Sequence, residues 1–247
     1  MSSDVARTGK SPFKDKALLI ASIKSYLTRN RAVFVEQGSR ISEFFEMCCF
    51  NDVVEFYRQQ GFSVVPMQLG KCGEFIYKLK ANGSHENFSF FEVVKTLKGV
   101  QWRFHVHHNL PLECAHEPGI FYVTDIAVVS ADSVKRETVA VYNQKRSYCP
   151  AAAVQTFFEV KHMSPFPELL FSFTGIIMNF VVHDGRNRSP KHIAPGLLIS
   201  GNLNTHTEKI SEYLAGSYQV NVIGGLFVRP STIYSKKYSK LTIGSLP

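Results

Sequence analysis

Apolar residues along the chain follow two spacings, one helical and one alternating, and together they divide it into elements. Positions 13, 17, 20, 23 and 27 are apolar at helical intervals, so a helix is expected over 13–34, with Gly38-Ser39 breaking it and residues 1–12 disordered. A second helix is expected from Ile41, with Ile41, Phe44, Phe45, Cys48 and Phe56 on one side and Gly61 past its end. Asn51-Asp52 is a candidate interruption, because Asp52-Val-Val-Glu55 has the form of a capping box. Strands are expected at 62–67, 74–79, 87–94 and 101–110, the middle two forming a hairpin around Asn82-Gly83. Two longer apolar runs follow at 120–129 and 154–161.

Beyond Lys161 the pattern becomes helical. Ser164-Pro165-Phe166-Pro167-Glu168 starts a helix, and 169–182 is so apolar that a buried crossover helix is expected. A basic loop, a strand over 193–200, a helix over 205–218 capped by Asn204 or Thr205, and a strand over 220–228 complete the series. Strand–helix–strand–helix–strand order implies an α/β fold with parallel strands near its centre.

The two long runs carry charge where a buried strand should have none: Asp125 in the first, Glu159 and Lys161 at the end of the second. Side chains alternate along a strand, so Glu159 and Lys161 share one face. A carboxylate left unpaired in such a run costs several kcal/mol or takes up a proton. It stays ionised only beside a cation, and Lys161 or a metal could serve.

An Asp on one strand and Glu-x-Lys on the next resembles the signature of the PD-(D/E)xK nuclease superfamily, with Thr124 where the family name has Pro. The resemblance spans about residues 41–228. It implies a restriction-endonuclease-like mixed sheet flanked by helices, preceded by an N-terminal tail and helix (1–40) and followed by a basic tail (229–247). It further implies metal-dependent hydrolysis of DNA, with Asp125 and Glu159 as ligands to Mg²⁺ (or Mn²⁺), the Val160 carbonyl as a third, and Lys161 beside the attacking water. Many members of the superfamily cut as dimers, but no homodimer surface is legible here. An acid from the first helix often joins the site. Glu55 lies within the apolar stripe of Ile41, Phe44 and Cys48, with capping its favoured job, while Glu43 and Glu46 lie off the stripe. A bend at Asn51 would return Glu43, and the position stays open.

Charge supports an anionic partner. The chain carries +8, which favours nucleic acid. Arg186, Arg188 and Lys191 crowd one loop, and Lys236 and Lys237 crowd the tail beside Tyr234 and Tyr238, so these five are candidate DNA contacts. The rival reading is a non-catalytic nucleic-acid-binding or assembly module in which Lys161 only balances buried acids. His105 and His107 share a strand face, but no acid or cysteine stands at ligand spacing from them, and a structural role is expected. Five scattered cysteines form neither a disulfide framework nor a zinc pattern. No apolar run is long enough for a membrane span and the first residues lack a secretory pattern, so a cytoplasmic protein is expected.

Overall fold

A computed structural model of the chain describes residues 41–139, 142–179 and 192–226. The expected N-terminal helix, the basic-loop residues Arg186, Arg188 and Lys191, and the tail residues Lys236 and Lys237 lie outside them. Among the described residues the fold is α/β: a mixed seven-stranded sheet with helices on both faces, and a separate two-stranded hairpin.

Helix α1 (Ile41–Gln59) is unbroken. Asn51 does not interrupt it: its amide donates to the Met47 carbonyl one turn back and to the Tyr77 hydroxyl. Phe45, Cys49, Val53 and Phe56 are buried at intervals of three and four, with Phe50, Val54 and Tyr57 beside them. The buried face is therefore rotated from the one expected, and Ile41 is exposed. The helix ends where Gly61 takes φ 78, with Phe62 N–H donating to the Tyr57 carbonyl and Gly61 N–H to that of Arg58. These two bonds satisfy carbonyls the helix would leave orphaned.

Strands β1 (Ser63–Met67), β2 (Phe90–Leu97), β3 (Val100–Glu113), β4 (Phe121–Ser130) and β7 (Val154–Lys161) run antiparallel in that order. The expected strand at 74–79 does not form, and the Asn82-Gly83 turn lies in a loop. The hairpin is instead at Lys98-Gly99, both at positive φ as a tight two-residue turn demands. Between β4 and β7 the chain makes an unexpected hairpin, β5 (Lys135–Val139) and β6 (Gln144–Tyr148).

Helix α2 (Pro167–Asn179) then crosses over to β8 (Gly196–Ile199), and α3 (Thr205–Tyr218) to β9 (Asn221–Ile223); β7, β8 and β9 are parallel. Asn204 caps α3, its side chain accepting from the Thr207 N–H while the Thr207 hydroxyl accepts from Asn204 N–H. The two crossovers bury Leu170, Phe173, Ile210 and Leu214 against Phe157 and Leu197, while α1 covers the other face over Val106, Val128 and Phe158. Helix α2 is not the buried crossover its composition suggests. Only Leu170 and Phe173 are buried, and Phe171 and Met178 face outward. No described helix is long and apolar enough to cross a membrane.

Candidate active site

Strands β4 and β7 meet through the pairs Ile126–Phe158, Ala127–Phe157 and Val128–Thr156, and ladder pairing stops short of Asp125. On the other side of β4, the ladder to β3 pairs His108 with Ile126 and Leu110 with Thr124, skipping Asn109 and Asp125 between them. Asn109 takes φ 50 at that gap, a left-handed conformation that Asn tolerates better than most residues. Where the ladder fails, the Asp125 side chain replaces a backbone acceptor: the Val160 N–H donates to its Oδ2 at 2.6 Å.

That same Oδ2 accepts from Lys161 Nζ at 3.1 Å, and Lys161 also donates to Glu159 Oε2 at 2.9 Å. The three residues named from the sequence therefore converge, one ammonium bridging two carboxylates from adjacent strands. Val160 lies between them with its side chain in the core, and its N–H donates into the cluster. Tyr122, at the start of β4, hydrogen-bonds the Glu159 carboxylate. No donor among the described residues is aligned on the buried Glu159 Oε1.

Charge is crowded here. Burial pushes the Glu159 carboxyl up to about 7, the Asp125 charge adding to the effect and Lys161 opposing it. Burial also raises Asp125, with Lys161 opposing and Glu46 adding. Burial acts to discharge Lys161, yet Glu159 and then Asp125 outweigh it and hold the ammonium above its ordinary value. With both carboxylates beside it, Lys161 is held in its charged form, which suits it to orient and stabilise negative charge.

Glu46 is the helix acid turned toward this cluster. It sits on the buried side of α1, between Phe45 and Met47 and one turn before Phe50, and its Oε1 accepts from Asn109 Nδ2 at 2.5 Å and pairs with His108 Nε2 at 2.7 Å. Glu55, which the expected stripe favoured as a buried or capping acid, is a surface residue paired with Arg58. Asn109 is itself clamped. Its amide also donates to the Lys78 carbonyl, and its carbonyl accepts from Lys78 Nζ at 3.0 Å and lies 3.1 Å from His85 Nε2. The buried Lys78 ammonium makes two further bonds to the carbonyls of Lys80 and Ala81. Burial lowers its pKa to about 8, with Glu46 opposing the shift. Lys78, Asn109 and Tyr122 left no trace in the sequence pattern, because each acts across a fold-dependent contact.

The donor set suits a hard, oxygen-seeking cation that keeps much of its own water. Such an ion takes one or two carboxylates, and Asp125 and Glu159 provide two, with Oε1 of Glu159 wanting a positive partner. The site does not suit an all-protein cage. Among the described residues no group of three or more His, Cys, Asp or Glu side chains is arranged to hold a metal. His105 and His107 pack around Phe90, their rings 4.6 and 4.7 Å from its centroid, as buried structural residues. Comparison of the chain with family models, curated proteins and solved structures returns no match.

Proposed function

We propose that this chain is a metal-dependent DNA endonuclease with a restriction-endonuclease-like core of PD-(D/E)xK type. One observation carries the reading: an Asp from one strand meets Glu-x-Lys from its neighbour where ladder pairing between them ends. The element order supports it as well, with a helix, an antiparallel set holding the three residues, and then a helix crossing to a parallel strand.

Asp125 and Glu159 would hold Mg²⁺ or Mn²⁺, which when bound would polarise a phosphoryl oxygen and make water nucleophilic near neutral pH. The chain's own residues do the rest. Lys161, bridged to both carboxylates, would supply an ammonium to offset the negative charge that builds up during phosphodiester attack. The Val160 N–H holds Asp125 in a single orientation, and Tyr122 does the same for Glu159. Glu46, anchored by Asn109 and His108, adds negative charge next to Asp125 and so favours a cation there. A net charge of +8 suits a polyanionic substrate.

The closed Lys161 bridge also favours a second reading, in which the cluster is a buried ion network inside a non-catalytic binding module. Supercoiled plasmid incubated with Mg²⁺ or Mn²⁺, with and without chelator, separates the two. The nuclease reading predicts nicked or linear product that chelator abolishes. Intact plasmid under every metal condition would instead support the second reading.

A further inference from the structure

The β5–β6 hairpin is a basic ribbon that stands outside the main sheet. It carries Lys135, Arg136, Lys145 and Arg146 against one acid, Glu137, and all five are exposed. Two of the cations are already paired: Arg136 with Glu86, and Lys135 with Glu137 at 4.0 Å. No ion pair among the described residues engages Lys145 or Arg146. The Arg146 guanidinium is held over the Tyr142 ring at 4.2 Å, which fixes its position without neutralising it.

The base of the ribbon is fastened to the end of the sheet that leads into the active site. Cys149 N–H donates to the Pro111 carbonyl and Glu113 N–H to that of Cys149, both at 2.9 Å. Tyr148 and Tyr142 pack on Phe121, with ring centroids 4.9 and 6.3 Å away. Phe121 adjoins Tyr122, which bonds Glu159, and stands four residues before Asp125, about 13 Å along the strand. On its other side, the Ser147 hydroxyl accepts from the His85 N–H. The base of this basic hairpin is therefore packed on the strand end about 13 Å of strand from Asp125.

We infer that this hairpin is a DNA-docking arm, with Lys145 and Arg146 contacting backbone phosphates as the ribbon lies against a duplex. A two-stranded ribbon has the dimensions that the major groove admits. Two cations left without carboxylate partners on such a ribbon match a phosphate backbone in charge. The inference rests on the nuclease reading for its choice of DNA, but it concerns binding and not chemistry.

The test is anisotropy of a fluorescent duplex of about 20 base pairs, titrated in chelator over a range of KCl, so that no cleavage can occur. Lys145→Gln/Arg146→Gln should flatten the plot of log affinity against log salt by about 1.8, or about 0.9 per lost phosphate contact. Lys145→Gln alone, which disturbs no ring contact, should flatten it by about half as much, and melting temperatures should match wild type. Lys98→Gln removes one charge from the β2–β3 turn, roughly 35 Å of strand away, and should leave the slope unaltered. An unchanged slope in the hairpin variants would overturn the inference, and so would an equal change from Lys98→Gln. Failure of wild type to bind duplex would also overturn it and point to an acidic protein partner. Plasmid cleavage by the hairpin variants is scored separately, so the arm can fail while the nuclease reading stands, and the reverse.

Discussion

At the scale of single residues, the cluster depends on what holds Glu46 as much as on the three charged groups. Asn109 serves two purposes: its backbone opens the β3–β4 ladder opposite Asp125, and its amide fixes Glu46. Asn109→Gly separates them, because glycine keeps the positive φ at little cost while deleting the amide. We expect this variant to fold, with stability changed by no more than about 1–2 kcal/mol. Its cleavage rate should fall by roughly tenfold as Glu46 is released. Unchanged cleavage by a stable Asn109→Gly protein would show that Glu46 needs no anchor. Of these residues, only Asp125, Glu159 and Lys161 were legible in the sequence, because charge inside an apolar run is anomalous wherever the run goes. Glu46 was not: a helix with apolar residues at 41, 44, 45, 47–50, 53, 54, 56 and 57 allows more than one buried face, and tertiary packing chose among them.

At the scale of elements, β2 is displaced by three residues from its expected bounds and β3 runs three residues longer at its end, while the runs at 120–129 and 154–161 and the capped helix α3 follow from local pattern to within a residue. The β5–β6 hairpin does not, since five of its residues in each strand include few apolar ones and its turn lacks an Asn-Gly signal. The strand expected at 74–79 is lost to a loop in which Phe75, Tyr77 and Lys78 all turn inward toward the first helix and Asn109. Helix α2 misleads for a different reason: composition reports how apolar a segment is and not how much of it finds a neighbour. The parallel β7–β8 pairing is tight at Gly196, where a Cβ would come within 2.9 Å of the Phe158 ring. Gly196→Ala should therefore destabilise the protein by about 1–3 kcal/mol through overpacking. Denaturant midpoints would measure it, and a neutral or stabilised variant would mean that β8 is free to shift away from β7.

At the scale of the whole molecule, buried ionisable groups set the response to acid. Burial holds His85 and His192 down to about 3, with Lys78 adding to the effect at His85, and it lowers His107 as well. As pH falls below 6.5 the unfolded chain binds protons that these folded histidines refuse. Each then removes about 1.4 kcal/mol of stability per pH unit. Glu159, raised to about 7, and Asp125, raised as well, act oppositely above their ordinary values near 4, because there the folded state takes up the proton first. Because three histidines outweigh two carboxylates, stability in chelator should fall from pH 6.5 and fall more steeply below about 4.5, as the carboxylate contribution is exhausted and the histidine one continues. Urea midpoints across that range test this, and a midpoint that held steady below pH 4.5 would contradict buried neutral histidines.

Lys161 is where the catalytic and the purely structural accounts part most sharply. If its ammonium stabilises charge during phosphodiester attack, Lys161→Ala should cut the single-turnover rate by roughly a hundredfold or more. Duplex affinity should be retained, and Mg²⁺ should restore melting as it takes over the two carboxylates. If Lys161 only balances buried acids, its loss should cost roughly 3–5 kcal/mol of stability. The deciding measurement is the single-turnover cleavage rate of Lys161→Ala at saturating protein and Mg²⁺, under conditions where its melting curve shows it folded. The account predicts a rate at least about a hundredfold below wild type, and wild-type cleavage by the folded variant would contradict it.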